Sequence, residues 1–203
     1  MPKVVDHEAR RVQIADAALR VIAREGLHRA SVRAVIAEAG LSSGAVRHYF
    51  DSHDDLLRYT GEHLNARGRR RVVEAAQAEH ETSLDKAVAM CEALLPLDDA
   101  RRDEIVAYSQ LAALERDRLG YRQQAASALD ELGAACVALL DPRRRLSSLR
   151  REVLARRAHW IVDGLAAQEV LYPHTISRES LAAGLREAMA DIAAEAAERP
   201  RGA

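Results

Sequence analysis

Small and polar side chains between positions 42 and 49 are the residues of this sequence best suited to direct chemistry with a partner. They are Ser42, Ser43, Gly44, Arg47, His48 and Tyr49. Hydroxyl, imidazole and guanidinium groups donate hydrogen bonds to phosphate oxygens, and a guanidinium can also hold both acceptors of a guanine. Small residues at the start of a helix allow its backbone to come close to a partner. This combination is typical of a helix that enters the groove of double-stranded DNA.

Two short helices joined by a tight turn would position these side chains. Ser31 is a good N-cap for the first helix. An apolar stripe at helical spacing follows, formed by Val32, Val35 and Ile36. Gly40 stands where a helix most easily ends on a left-handed residue. Ser42 or Ser43 can then cap a second helix that runs to about Tyr49. The pattern predicts a helix-turn-helix.

The segment from Ile14 to Leu57 resembles the N-terminal DNA-binding domain of the TetR family of transcriptional repressors. The matching positions are Ser31, Ala39-Gly40-Leu41, Ser42 or Ser43, Gly44, Val46, Tyr49 and Phe50. The resemblance is specific over about the first quarter of the chain. It implies a homodimer that pairs through its last two helices and binds a palindromic operator in double-stranded DNA. It also implies a small-molecule effector that releases the operator.

The chemistry of the residues and this resemblance together give a set of candidate DNA contacts. The set is Ser31, Arg33, Ser42, Ser43, Gly44, Arg47, His48, Tyr49 and His53. Arg33, near a helix start, is expected to meet a phosphate. Arg47 can hold either a guanine or a phosphate, and both interpretations are open. Tyr49 matches a family position that touches the DNA backbone, or it packs beside Phe50. His53 can donate to a phosphate, more strongly when it is protonated.

Length and composition favour a globular protein in the cytoplasm. The 203 residues are 48% hydrophobic and 30% charged, which is typical neither of disorder nor of a membrane protein. No apolar run approaches the ~20 residues that a spanning helix needs, and the first residues lack the apolar segment of a secretory signal. Cys91 and Cys136 have no metal-binding spacing, so they are expected to be reduced core residues.

Charge is distributed unevenly along the chain. Residues 1–71 hold 13 lysines and arginines against 9 aspartates and glutamates, whereas the remainder holds 17 against 22. A basic N-terminal part followed by an acidic body suits a nucleic-acid-binding domain joined to a domain with another role.

Helical periodicity continues to the end of the chain, without a β-hairpin signal. We therefore predict an all-α protein of about nine helices: a helix-turn-helix domain at 1–52 and a larger ligand-binding and dimerisation bundle at 53–203. The penultimate helix has two apolar stripes. One is Leu149, Val153, Trp160 and Gly164, and the other is Leu154, Ala158, Ile161 and Leu165. A symmetric dimer would bury the second surface; the alternative is a helix central to its own bundle.

The C-terminal body offers candidate ligand contacts but no catalytic motif. The candidates are Met90, Leu94, Tyr108, Leu111, Tyr121 and Trp160. Each can equally be a core residue. No Gly-x-Gly loop and no His-Glu-x-x-His motif occurs, so we predict no enzyme activity, cofactor or metal. Arg47 and His53 stand where the family usually has an aromatic residue and a lysine. The alternative function is therefore an adaptor or ligand-sequestering protein of the same fold with impaired DNA binding.

Overall fold

The computed structural model of the chain describes residues 7–42, 48–113 and 121–198, and the regular elements in these ranges are all helical. The helices are α1 (His7–Glu25), α2 (Val32–Ala39), α3 (His53–Gln77), α4 (Ser83–Glu92), α5 (Asp99–Ala113), α6 (Tyr121–Leu140), α7 (Ser148–Leu171) and α8 (Arg178–Ala197). A 3-10 turn, Leu27–Arg29, separates α1 from α2. The all-α prediction is confirmed. The predicted ninth helix, beginning at Ser42 or Ser43, falls mostly outside the described ranges.

Side-chain caps determine where several helices begin. The hydroxyl oxygens of Ser31, Ser52, Ser147 and Ser177 each accept the backbone N–H three residues further along, at 3.0–3.2 Å. Each of these bonds satisfies a donor that has no partner within its own helix. The Ser31 cap agrees with the sequence prediction. Helix α4 is capped by Thr82, which the sequence analysis did not single out.

The chain divides into two compact units. The first comprises Met1–Ala66 and Asp103–Arg122, and the second comprises Arg67–Arg102 and Gln123–Ala203. Helices α3 and α5 each contribute residues to both units. These units are defined by packing, so a functional boundary after residue 52 stays a prediction.

Helix α1 is the centre of the first unit because two of its faces are buried. One face carries Ile14, Ala17 and Ala18, which pack with Val35, Ala39, Phe50 and Leu56. The other face carries Leu19, Val21 and Ile22, which pack with Ala30, Leu57, Leu64, Ala107 and Leu111. The small alanines let α2 approach α1 closely, and the first of these clusters forms the core of the helix-turn-helix.

Helices α4, α6, α7 and α8 form the core of the second unit. Its buried members are Ala87, Val88, Met90, Cys91, Leu95, Leu132, Cys136, Val137, Leu154, Ala158, Val162, Leu185, Met189, Ile192 and Ala196. Thus α7 buries one of its two predicted apolar stripes in this core. Among the described residues no helix is long and apolar enough to cross a membrane.

Candidate nucleic-acid interface

The turn after α2 has the geometry that its sequence predicts. Gly40 adopts a left-handed conformation, with φ 66° and ψ 31°. The next backbone N–H, that of Leu41, donates to the carbonyl of Ile36 at 3.1 Å, and the Gly40 N–H donates to the carbonyl of Ala37 at 3.2 Å. These bonds satisfy carbonyls that the helix end would otherwise leave unpaired. The chain is therefore redirected sharply at Gly40.

Side chains of α1 hold α2 in place. The Gln13 side-chain amide donates to the carbonyl of Ala39 at 3.1 Å. Glu38 on α2 accepts hydrogen bonds from Arg20 at 2.7 Å and from Arg24 at 3.0 Å. These two guanidinium groups hold the pKa of the Glu38 carboxyl below its usual value. Both ion pairs are largely exposed, so their main effect is to orient α2 rather than to stabilise it strongly.

An arginine lies between two aromatic rings where the helix-turn-helix meets α3. The Arg11 guanidinium lies 4.9 Å from the ring centre of Phe50 and 4.2 Å from that of Tyr59. The two rings pack edge to face, with their centres 5.5 Å apart. Cation–π attraction favours the position of the guanidinium against both rings. The Tyr59 hydroxyl donates to Glu8 at 2.5 Å. Burial and this hydrogen bond raise the pKa of Tyr59 to about 12. The cluster fixes the end of the helix-turn-helix.

Several predicted DNA contacts lie at the surface of the first unit. Arg33, Ser42 and His48 are exposed. Tyr49 is half-buried, and its ring centre lies 4.8 Å from that of His7. The same His7 imidazole approaches the carbonyl oxygen of His48 at 3.4 Å. The start of α1 therefore lies beside the end of the segment expected to read DNA. Ser43, Gly44 and Arg47 lie outside the described residues.

His53 has a structural bond that the sequence analysis did not foresee. Its Nε2 lies 2.8 Å from the carbonyl oxygen of Ala30. Because a carbonyl can only accept, Nε2 carries the hydrogen, and Nδ1 can donate to a phosphate only when the ring is protonated. This bond ties the start of α3 to the residue before Ser31. The Ser31 hydroxyl oxygen, in turn, is engaged as the cap of α2.

The Gln110 side chain on α5 binds backbone groups at the C-terminal end of α1. Its Oε1 accepts the backbone N–H of Leu27 at 2.7 Å, and its amide nitrogen lies 3.4 Å from the carbonyl of Ile22. Gly26 between them has φ 89°, a conformation that favours glycine. Local sequence patterns do not reveal this clamp because Gln110 and Leu27 are 83 positions apart.

The predicted ligand contacts do not form one cluster. Met90 and Leu94 belong to the core of the second unit. Tyr108 and Leu111 pack in the first unit, beside the buried residues of α1. Trp160 is 65% exposed on α7. The side chain of the sixth candidate, Tyr121, is outside the described set.

Each unit contains an open cleft among its described residues. The cleft in the first unit, of about 700 Å³, is lined by Leu27, His28, Ala30, Ser31, Val32, His53, Asp54, Leu57 and Gln110. The cleft in the second unit, of about 750 Å³, lies between α6, α7 and the loop that joins them. None of the six candidate ligand contacts lines either cleft.

Comparison with known proteins identifies the family. Residues 14–60, which span α1, α2 and the start of α3, match the family model of bacterial regulatory proteins of the tetR family. The regulator PksA of Bacillus subtilis is 29% identical over 182 residues, covering 89% of this chain and 88% of PksA. The family model, the relatives and the solved structures together support a TetR-family transcriptional regulator.

Other transcriptional regulators are similar to the chain in sequence or in structure. The regulator BetI of Vibrio vulnificus is 48% identical, but over 60 residues that cover 30% of each chain. A crystal structure of a transcriptional regulator from a Rhodococcus species superimposes with a TM-score of 0.78 at 26% identity. It covers 94% of this chain and 99% of the other. These relatives are transcriptional regulators, not enzymes, and the present chain is a DNA-binding transcriptional regulator.

Proposed function

We propose that this TetR-family regulator is a homodimeric repressor that binds a palindromic operator and is released from it by a small-molecule effector. The helix-turn-helix frame between Ser31 and Phe50 carries the proposal. The Ser31 cap, the left-handed turn at Gly40 and the packing of Arg11 on Phe50 form a frame suited to a second helix that binds in the DNA groove. A regulator of this kind works in the cytoplasm, where the operator is.

An uncovered apolar face on α7 supports the dimer. Leu149, Val153, Trp160 and Leu171 are 69%, 44%, 65% and 65% exposed. At 100° per residue they lie within about 40° of one another around the helix, so they form one stripe. Tyr172 and Ile176, which follow α7 in the chain, are exposed apolar residues as well. Exposed apolar stripes of this size mark interaction surfaces.

Small residues on α8 fit the same interface. Ala183, Ala194 and Ala197 are exposed, while Leu181, Leu185 and Ile192 on the opposite side are buried. A helix surface of alanines lets a second helix approach closely. Pairing through α7 and α8 would give an isologous interface, in which the same patch of each protomer meets its mate.

Two-fold symmetry of the protein determines the form of the operator. A dimer places one recognition helix in each of two half-sites, about 34 Å apart or a multiple of that distance. Arg33, exposed near the start of α2, would contact a phosphate. Arg47 would contact a guanine or a phosphate in the groove. The remaining predicted contacts around the turn would fix the register on the phosphate backbone.

Effector release requires that the ligand prefer the conformation that fits the operator poorly. To shift a two-state equilibrium from 1:99 to 99:1, the ligand must prefer one state by about 5.5 kcal/mol. We propose that the ligand binds in the C-terminal body, with Met90 and Leu94, which lie in the core of the second unit, as its candidate contacts. Helix α3 is the natural link because it contributes residues to both units.

Fluorescence anisotropy with the DNA upstream of the protein's own gene tests this function. Shuffled DNA of equal length serves as the control, at physiological salt. We expect saturable binding at two protomers per site, which specific competitor displaces and shuffled DNA does not. Equal, weak binding to both DNAs, followed by failure to enrich any sequence from a random pool, would contradict the repressor and favour the adaptor.

A further inference from the structure

Two cysteines from α4 and α6 touch each other inside the core of the second unit. The Sγ atoms of Cys91 and Cys136 lie 3.7 Å apart, although the residues are separated by 45 positions along the chain. Neither residue is exposed to solvent, and both are free thiols. The Cys136 Sγ lies 3.8 Å from the carbonyl oxygen of Ala87, to which its S–H donates. Neither thiol takes part in the proposed binding of DNA or of an effector.

The packing keeps the two thiols together. Ala87 and Val88 on α4, and Leu132 and Val137 on α6, surround the pair and are themselves buried. The sulfur atoms are in van der Waals contact, whereas a disulfide needs a separation of about 2.05 Å. The two sulfur atoms must therefore approach each other by about 1.7 Å to form the disulfide.

We propose that Cys91 and Cys136 form an oxidisable dithiol, which a small hydroperoxide converts into an intramolecular disulfide. In the first step one sulfur attacks the O–O bond of hydrogen peroxide, giving a sulfenic acid and one water molecule. In the second step the other sulfur attacks the sulfenic sulfur. The S–S bond forms and a second water molecule leaves. The two thiols together lose two electrons and two protons, and the peroxide is reduced to two molecules of water.

The environment predicts a slow first step and a rapid second one. The hydrogen bond to Cys136 and burial both raise the pKa of the Cys91 thiol, so little of the reactive thiolate is present at neutral pH. Once a sulfenic acid forms, however, its partner is already in contact. The disulfide should therefore appear without accumulation of a singly oxidised cysteine or of higher oxides.

Intact-mass measurement of the full chain during exposure to hydrogen peroxide tests the proposal. We expect a species lighter by two hydrogen atoms, with a peptide map that joins Cys91 to Cys136. The chain unfolded in guanidinium and treated identically shows that the oxidant suffices. The variants Cys91→Ser and Cys136→Ser should instead accumulate a sulfenic acid that dimedone traps.

Two results would overturn the proposal. One is persistence of both thiols in the folded chain while the unfolded chain cross-links. The other is oxygen addition to a single cysteine, or a disulfide between two chains, in place of the internal bond. An equilibrium measurement in glutathione buffers is independent of the slow first step. From the entropy of loop closure, the equilibrium constant for forming the disulfide should be on the order of 10³-fold larger in the folded chain than in the unfolded chain. If the constant is equal in the two states, or smaller in the folded chain, the proposed geometry is contradicted.

Discussion

Gly133 on α6 lies so close to α7 that a Cβ atom added to it would stand 2.2 Å from the carbonyl oxygen of Ala155. Cβ contacts below 3.0 Å essentially never occur, and the obstacle is backbone rather than a flexible side chain. We therefore expect Gly133→Ala to lower the free energy of unfolding by about 1–3 kcal/mol through overpacking. Urea denaturation followed by circular dichroism measures the change.

Gly184 on α8 is the matched control because a Cβ there meets nothing within 4 Å. Gly184→Ala should raise the free energy of unfolding by about 0.5–1 kcal/mol, since alanine is the better residue for a helix. Similar effects of the two substitutions would contradict the close approach of α6 to α7.

The Gln110 clamp predicts a local loss of stability in the first unit. Gln110→Ala leaves the Leu27 N–H without its acceptor and should cost about 1–3 kcal/mol. Gln110→Glu retains an acceptor for Leu27 and should cost less. Hydrogen exchange at the Leu27 amide is the direct measurement, and the exposed Gln77→Ala on α3 is the control. Unchanged protection of Leu27 in Gln110→Ala would show that the bond has no energetic role.

Arg33 and Arg47 are predicted to differ in how their loss affects DNA binding. Arg33→Ala should weaken operator and shuffled DNA alike and reduce the salt slope by about one, because a phosphate contact carries no sequence information. If Arg47 holds a guanine, Arg47→Ala should also lower discrimination at one base pair by about 1–3 kcal/mol. Anisotropy titrations at several salt concentrations separate the two. A uniform loss for Arg47→Ala would assign it to a phosphate.

The apolar stripe on α7 predicts the residue that controls dimerisation. Trp160→Ser should raise the dimer dissociation constant by about 30-fold or more, since truncation of a central interface tryptophan typically costs at least about 2 kcal/mol. Sedimentation equilibrium measures this constant. Val73→Ser on α3 removes another exposed apolar side chain, 47% accessible, and should leave the constant unchanged. Equal constants for both variants would place the dimer interface elsewhere.

Asp141, at the end of α6, predicts a loss of stability in acid. Burial alone would raise the pKa of its carboxyl. The carboxylate, however, accepts hydrogen bonds from the backbone N–H groups of Arg145, at 2.8 Å, and Leu146, at 3.1 Å. These bonds lower the pKa by more than burial raises it, so the net shift is downward. A carboxyl whose pKa is lower in the folded state stabilises the fold above its unfolded pKa of about 3.9. That stabilisation is lost as the pH falls through the folded value.

The difference in unfolding midpoint between wild type and Asp141→Asn should therefore be constant from about pH 6 to 8 and shrink below about pH 4. Thermal unfolding across this range measures it. Asp191→Asn, at an exposed position of α8, is the control for an aspartate-to-asparagine substitution elsewhere in the same unit. A difference that persists in acid would mean that the asparagine disturbs the loop in another way.

Local signals in the sequence predicted the helices and their caps well. Ser31 and Gly40 act through bonds to backbone groups within a few residues, so their roles follow from spacing alone. The two stripes of α7 were also predictable because helical periodicity separates them. One stripe lies in the core around Leu154, and the other is exposed.

Contacts between distant segments were not predictable from spacing. Gln110 binds the backbone of Leu27, 83 positions away, and no local pattern indicates that bond. The contact of Cys91 with Cys136 likewise depends on how α4 packs against α6. Tyr108 and Leu111 are residue types that often line ligand pockets, but they pack beside the buried face of α1. The sequence gives the chemistry of each side chain, whereas tertiary packing decides which side chains are in contact.

The sequence contains one tryptophan, and it is Trp160. All indole emission of the protein therefore originates from the centre of the α7 stripe, where the side chain is 65% exposed in a single protomer. Burial of this stripe against a second chain should shift the emission towards the blue and slow its quenching by iodide. The molecule thus contains its own spectroscopic probe of self-association, and dilution in a cuvette can follow assembly without any attached label.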